Sequence, residues 1–434
     1  MKINEVVKKQ VLNILEEEII PAEGCTEPIA LAYTAAKAVE ILQKKPEKLM
    51  VYVSGNIIKN VKSVVVPNSG GMIGIEATSA MGALAGDAKK ELLVISNIQP
   101  SQLQEIRDFI DLGNVEVIHE NTSIKLYCRI EAISQTESVS VEIKHVHTNI
   151  TKVIRNGVTL IDRPCNDADF NSSLTDRKIL SIQLIYELAK TIDINLISEK
   201  FDQVIHFNTA IAEEGLKGNY GINVGKMIKD NMDSGVYGND QRNRSASFAA
   251  AGSDARMSGC ALPVMTTSGS GNQGMTASLP IIKYVIDHNL TKEELYRALF
   301  MSHLSTVHLK TNVGRLSAYC GVICASAAVS GGIAFIQGGD YQTVSNAITN
   351  TLGNVSGIIC DGAKGSCASK IATGVTAAFD SAMLAKAQHV MNGGDGIVGD
   401  CVETTIQNIG KLAQNGMNKT DEVILGIMTN KNKA

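Results

Sequence analysis

The sequence predicts an α+β protein, with an N-terminal α+β domain built on a mixed or antiparallel sheet and a mainly α-helical domain after it. Short β-rich runs fill residues 48–147, and helical periodicity dominates from about residue 174. The chain of 434 residues is also longer than one hydrophobic core usually supports. We therefore predict two domains, residues 1–170 and residues 171–434.

Two predicted helices open the chain, and the strands of the sheet follow them. Apolar residues recur at helical spacing over residues 6–20 and 29–42, with PAEGCTEP between them. The later runs LMVYVSG, VKSVVVP, ELLVISNI, VEVIHE, IKLYCRIEA and VSVEIKHVH are rich in β-formers and are separated by Gly, Pro, Asn and Ser. They predict strands, and Asn156-Gly157 predicts a hairpin turn.

Helical signals continue through the C-terminal part. ILSIQLIYELAKTI and AIAEEGLKG have helical periodicity, and Thr291 with Glu294 fits a capping box at the start of another helix. Residues 316–339 contain no charged residue, which is a property of membrane spans. Because Ser, Gly and Ala dominate this segment, its mean hydropathy is too low for lipid, and we predict a buried helix.

Charge and cysteine content narrow the classes of function. The 40 Lys and Arg against 44 Asp and Glu give a net charge of -4, without the basic surface that nucleic acid or anionic lipid requires. The first 20 residues lack the apolar run of a signal peptide, and the nine cysteines are typical of thiols kept reduced. We expect a cytoplasmic homodimer that acts on a small molecule, without a nucleic-acid or membrane partner.

Cys25 lies in the segment GCTEP, at the predicted start of the second helix. Thr26 or Glu27 suits the N-cap, and Pro28 suits the first helical position. A thiol here lies at the positive end of the helix dipole, which favours the thiolate and lowers the pKa. Cys25 is therefore a candidate reactive residue, although a small buried residue at a helix start fits the same pattern.

Four cysteines occur close together later in the chain, Cys320 and Cys324 in AYCGVIC and Cys360 and Cys367 in CDGAKGSC. Thiolates in a Gly-rich segment suit iron–sulfur ligation, although the spacing matches neither common ferredoxin pattern. A four-cysteine zinc site is the direct alternative, but the step between the last two cysteines is wider than zinc sites usually have. On spacing alone, an iron–sulfur cluster, zinc and metal-free thiols all stay open.

Candidate substrate-binding residues lie in two further segments. TTSGSGNQGMTASLP predicts a turn before a helix, where backbone N–H groups with Ser268, Ser270 and Asn272 could hold a carboxylate; a surface loop would have a similar composition. Lys310 and Arg315, on or just after the helix that leads to the cysteines, could neutralise a substrate carboxylate or the charge of a cluster. A solvated helix face would also account for these two cations.

The segments GCTEP, SGSGNQG, SHLSTVHLKTNVGRLSAYCG and CDGAKGSC, in this order, resemble the L-cysteine desulfidase family, which is related to the alpha chain of iron–sulfur L-serine dehydratases. The resemblance covers nearly the full length. It implies that Cys25 is the catalytic proton acceptor and that Cys320, Cys360 and Cys367 hold a 4Fe-4S cluster. Relatives often have CGC where this chain has Cys320-Gly321-Val322, so Cys324 is the alternative first ligand.

This resemblance implies a carbon–sulfur lyase that is independent of pyridoxal phosphate. It would convert L-cysteine and water to pyruvate, ammonia and hydrogen sulfide, with an open-site cluster as Lewis acid and the Cys25 thiolate as base. L-Serine dehydratase, which expels hydroxide by the same route, is the nearest alternative. A non-catalytic iron–sulfur sensor is an alternative from another class.

Overall fold

The computed structural model describes residues 4–167, 171 and 174–429. It is 59% helical, with a mixed six-stranded sheet in the N-terminal part and a mainly helical C-terminal part, which confirms the predicted α+β class. The N-terminal part contains α1 (Glu5–Glu18), β1 (Pro21–Ala22), α2 (Thr26–Leu42), β2 (Lys48–Val53), α3 (Gly55–Val61), α4 (Gly74–Ala85), α5 (Leu103–Asp111), β3 (Val115–His119), β4 (Tyr127–Ser134), β5 (Glu137–Lys144), β6 (Ile150–Arg155) and β7 (Val158–Asp162).

The sheet has the order β3-β2-β4-β5-β6-β7. Strands β2 and β3 are parallel, and the other neighbours are antiparallel. Buried residues alternate along β4 and β5, so one face of the sheet packs against α2. The turn between β6 and β7 is formed by Asn156 and Gly157, whose φ values of 50° and 80° are those that a tight hairpin requires.

Two predicted strands are wrong. Most of VKSVVVP follows the end of α3 and forms only an isolated bridge at Val65, and ELLVISNI lies largely in a 3₁₀ helix over Ala88–Leu93 and the turn after it. Their apolar side chains, including Val64 and Ile95, are buried nonetheless. A short apolar run reports burial and does not distinguish a strand from a helical turn.

The C-terminal part is a packed set of helices: α6 (Ile182–Thr191), α7 (Ser198–Lys217), α8 (Val224–Asp233), α9 (Gln241–Met257), β8 (Val264–Met265), α10 (Gly271–His288), α11 (Lys292–Val313), α12 (Gly321–Ile336), α13 (Tyr341–Val355), α14 (Ser366–Lys386), α15 (Val402–Lys411) and α16 (Asn418–Thr429). The predicted capping box at Thr291 is present. The uncharged segment forms the buried helix α12, and among the described residues no helix has the length and apolarity needed to cross a membrane.

Two hydrophobic clusters correspond to the two parts, but the chain crosses between them at its start. Val11, Ile14 and Leu15 of α1 pack in the cluster of the C-terminal helices, whereas α2 packs in the cluster of the sheet. The predicted boundary at residue 170 lies outside the described residues, and the division into domains stays a prediction. A two-stranded antiparallel pairing of β1 with β8 then holds the GCTEP segment beside the Ser/Gly-rich turn.

Candidate active site

One pocket between the two parts collects most of the candidate residues. Its lining includes Cys25, Ser270, Asn272, Lys310, Arg315, Cys320, Cys360 and Cys367. Ser268 is not part of this lining; it lies in the preceding turn with a φ of 50°. Segments that are far apart in the sequence, from α2, α10, α11, α12 and α14, therefore meet at a single cavity.

Cys25 is itself the N-cap of α2, and Thr26 is the first helical residue. The prediction that Thr26 or Glu27 caps the helix is wrong, because the helix starts at Thr26, two residues before Pro28. The Cys25 Sγ–H donates to Glu27 Oε2 over 3.2 Å. The Thr26 hydroxyl donates to the backbone oxygen of Gly269 over 2.7 Å, which fixes this helix start against the Ser/Gly-rich turn.

The expected low pKa of Cys25 is also wrong. Burial raises the pKa of this thiol well above its ordinary value, the negative charge of Glu27 raises it further, and the charge of Arg256 opposes both effects. Only 4% of Cys25 is exposed. These effects outweigh the helix dipole, so Cys25 is a thiol that donates its proton in a hydrogen bond to a carboxylate.

Glu27 is ionised despite its burial. Burial raises its pKa, but His147 and the hydrogen bond from Cys25 lower it to about 2. His147 Nε2 lies 3.9 Å from Glu27 Oε1, and Asn60 Nδ2 donates to the same oxygen over 3.3 Å. Sequence analysis assigned Glu27 only to helix capping, although it lies inside the GCTEP motif.

The Ser/Gly-rich turn leads into α10, as predicted, and Ser270 is the N-cap whose side chain accepts from Gln273 N. Gly274 of α10 packs directly against the backbone of β8. A Cβ at position 274 would lie 2.0 Å from Met265 O. The Asn272 side chain accepts a hydrogen bond from Ser253 over 3.3 Å. The turn therefore presents a rigid helix start to the pocket.

Three cysteines are placed by backbone contacts between two loops. Cys320 N donates to Ile358 O over 3.3 Å, and Cys360 N donates to Ala318 O over 2.6 Å. Cys367 lies in the first turn of α14. Burial raises the pKa of Cys320 and of Cys367, and the neighbouring thiols raise it further.

The spacing of these thiols bears on the kind of metal that they could hold. Among the described residues, the sulfurs of Cys320, Cys360 and Cys367 do not form a group within 4.8 Å of one another. A single tetrahedral zinc would need sulfurs about 3.8 Å apart. Three cysteines around one pocket are a ligand set that an iron–sulfur core can use. Cys324 is fully buried in α12 and does not line the pocket.

The side chains of both predicted cations are buried, that of Arg315 with 8% of its surface exposed, so the solvated-face alternative is wrong for both. Lys310 is 4% exposed; burial lowers its pKa, and the thiols of Cys324, Cys360 and Cys320 oppose that shift. Arg315 Nη2 donates to Glu18 over 2.8 Å, so part of its guanidinium is already paired. Of the two cations, Lys310 is therefore the one whose positive charge faces the cysteine thiols.

The structure adds residues that sequence analysis did not select. Arg256, Gln273, Asn60 and Glu27 line the pocket with the predicted set. Behind them, Lys59 Nζ lies 2.5 Å from Asp421 of α16 and donates to Cys360 O over 3.2 Å. Lys59 and Asn60 both lie in α3, whose N-cap is Ser54.

A separate group of possible metal ligands lies outside the predicted site. Atoms of His145, Cys165 and Asp167 lie within 4.8 Å of one another. Asp167 Oδ1 also lies 3.2 Å from Lys144 Nζ, whose positive charge competes with a metal ion for the carboxylate. Cys165 had no recognisable partner in the sequence.

Comparison with known proteins places the chain in a family. The model of the serine dehydratase alpha chain matches residues 90–426. A UPF0597 protein of Fusobacterium nucleatum is 62% identical over 421 residues, 97% of this chain and 99% of the relative. UPF0597 proteins of Desulfitobacterium hafniense and Treponema denticola are 48% and 41% identical over 96% and 99% of this chain, and over the same shares of their own. The chain belongs to the serine dehydratase alpha chain family.

Proposed function

We propose that this protein is an L-cysteine desulfidase in which Cys320, Cys360 and Cys367 hold an open-site 4Fe-4S cluster. The observation that carries the proposal is that Cys25, hydrogen-bonded to a buried carboxylate, shares one pocket with these three thiols. The family match supports a lyase of the serine dehydratase kind. The nine free cysteines support a reducing compartment, and the cytoplasm and a homodimer belong to the same proposal.

The residues present fit a cluster of this kind. Three thiols line one cavity, and Lys310 lines it as a buried cation. Binding to iron would require the thiols to lose their protons, and the positive charge of the iron would offset the raised pKa of Cys320 and Cys367. When bound, the cluster would supply a Lewis-acidic iron that withdraws charge from the substrate and stabilises departing sulfide.

The chain's own residues would move the proton. Before the substrate binds, Cys25 is protonated and Glu27 is ionised. We propose that the substrate's ammonium group adds positive charge beside Cys25, which favours the thiolate, and that the thiol proton passes to water as the substrate binds, while Glu27 stays ionised. The thiolate then has a free electron pair facing the substrate.

The reaction balances as a β-elimination. The Cys25 thiolate takes the α-proton, the released electron pair forms the Cα–Cβ double bond, and the Cβ–S bond breaks with sulfide leaving. The resulting 2-aminoacrylate tautomerises to an imine, and water converts the imine to pyruvate and ammonia. No redox partner is needed, because no net electron transfer occurs.

L-Serine dehydratase is the second candidate, and the description of the matching family favours it. The two reactions differ only in the leaving group. We would purify and reconstitute the protein without oxygen and measure pyruvate and sulfide release from L-cysteine beside L-serine. Equal yields of sulfide and pyruvate, with serine much slower, would support the desulfidase. Pyruvate from serine alone would move the assignment to dehydratase, and no product from either would favour the sensor.

A further inference from the structure

Arg256 is a buried cation that forms no ion pair with the residues that the structure describes. It lies in the last turn of α9 and is 2% exposed, and among those residues its Nε and Nη2 atoms have no hydrogen-bond partner. It also lines the pocket that contains Cys25. An unpaired guanidinium in a protein interior is costly, so a group that is absent from the chain itself should complete its hydrogen bonds.

The backbone around Arg256 is shaped to hold the guanidinium in place. A Cβ at Gly271 would lie 2.5 Å from Arg256 Nε and 2.6 Å from Cζ, so any larger residue would displace it. Gly271 is the first residue of α10, where the helix dipole is positive. The fork of Arg256 and the N-terminus of α10 therefore present positive charge on the same side of the pocket.

Two buried oxygens in the same pocket also lack partners. Gln273 Oε1 has none, and Gly321 allows the side chain to sit against the start of α12, where a Cβ would lie 2.7 Å from that oxygen. Asn60 Oδ1 is likewise unpaired, while its Nδ2 donates to the ionised Glu27. The pocket thus combines unpaired N–H donors with unpaired oxygen acceptors next to a carboxylate.

We infer that Arg256 binds the α-carboxylate of the substrate in a bidentate manner, and that Gln273, Asn60 and Glu27 bind its α-ammonium group. The inference rests on the proposed function and names the substrate class: a free α-amino acid recognised at both charged ends. Amino-acid amides, which lack the α-carboxylate, and peptides, in which no residue has both a free α-ammonium and a free α-carboxylate, are excluded. In this assignment Arg256 binds the substrate's carboxylate, and Arg315 remains paired with Glu18.

Equilibrium binding of unreactive ligands to the reconstituted full-length protein tests the inference without turnover. L-Alanine has both charged groups but no leaving group on Cβ; L-alaninamide lacks the carboxylate, and propionate lacks the ammonium. By calorimetry, we expect L-alanine to bind about 30-fold or more tightly than either analogue. Arg256→Gln should weaken L-alanine by about the same factor and leave L-alaninamide unchanged. Arg242→Gln, on an exposed part of the same helix, is the matched control.

Each other outcome overturns the inference. Equal affinity of the wild-type protein for L-alanine and L-alaninamide would show that the carboxylate is not bound. If L-alanine does not bind at all, the pocket is not a site for amino acids. If Arg256→Gln loses iron but binds L-alanine normally, Arg256 is a counter-charge for the cluster beside Cys367. If that variant does not fold, Arg256→Lys and the wild-type ligand series decide. Failure of the proposed function looks different: L-alanine binds, yet neither L-cysteine nor L-serine is consumed.

Discussion

The pocket contains the same functional group in two different settings. We call Cys320, Cys360 and Cys367 the cysteine wall, and Cys25 with Glu27 the base wall. All line one cavity, and burial raises the pKa of Cys25 as it does that of Cys320. Burial and residue type therefore do not separate the two walls.

Neighbouring charges separate them. Burial raises the pKa of Cys320 and of Cys367, and Lys370, which also pairs with Asp361, lowers both. Cys25 also has a nearby cation, Arg256, but its thiol contacts the Glu27 carboxylate, whose charge has the larger effect and opposes a permanent thiolate. The comparison teaches that a cation beside a thiol favours metal binding, whereas a carboxylate beside it favours proton transfer.

The largest expected effect is on the cysteine wall. Replacing Cys360 or Cys367 by Ser should abolish both iron binding and turnover, because either change removes one of three ligands. Iron and acid-labile sulfide per chain, measured after reconstitution without oxygen, check this. Cys324→Ser is the matched control from outside the pocket and should keep both. Iron that is lost in Cys324→Ser but kept in Cys320→Ser would reverse the choice of first ligand.

The next effect separates the walls. Cys25→Ser should keep the iron content of the wild-type protein and lower kcat by about 100- to 10,000-fold, the usual range for losing a general base. The control is Cys128→Ser, another buried thiol that contacts Thr34 and lies outside the pocket; its turnover should be unchanged. Full activity in Cys25→Ser would show that Cys25 is not the base. The distinction between the two walls would then have no catalytic meaning.

The fold was predictable where local pattern decides it. Alternation gave the long strands, periodicity gave the helices, and the Asn156-Gly157 turn followed from the positive φ that those residues tolerate. The prediction of a strand at ELLVISNI was wrong, because its buried residues lie in a 3₁₀ helix and in the turn after it. Packing across the chain outweighed local preference there.

The sequence predicted only those site residues whose types or patterns are uncommon in proteins. Cysteines and a Ser/Gly-rich turn stand out in a sequence, and the pocket contains Cys25 and Ser270 as expected. Arg256 lies in an ordinary helical segment, and nothing in its neighbourhood shows that it is unpaired. Its lack of an anion, like the contact of Glu27 with Cys25, depends on the folded arrangement of distant segments.

The smallest expected effect concerns two buried carboxylates, Glu23 and Glu27, which lie two residues before and two residues after Cys25 in the sequence and have opposite pKa shifts. Glu27 lines the pocket and Glu23 does not. Burial raises the pKa of Glu23 to about 7, whereas the surroundings of Glu27 lower its pKa to about 2. The raised pKa means that Glu23 destabilises the folded state as pH rises from about 4.5 to 7, with the full cost above 7. Glu23→Gln keeps an oxygen acceptor for the hydrogen bond from Asn68, so it should raise the free energy of unfolding at pH 8 by about 2 kcal/mol and at pH 5 by less than half as much.

Glu27→Gln is the internal control, because its sign is opposite. A lowered pKa stabilises the folded state above about 4.5, and this stability is lost only as pH falls toward 2, so the variant should be less stable than wild type at both pH 5 and pH 8. Denaturant unfolding of the metal-free protein at the two pH values measures both variants. If Glu23→Gln gains equal stability at pH 5 and pH 8, its effect comes from packing, and the contrast between Glu23 outside the pocket and Glu27 in the base wall does not hold.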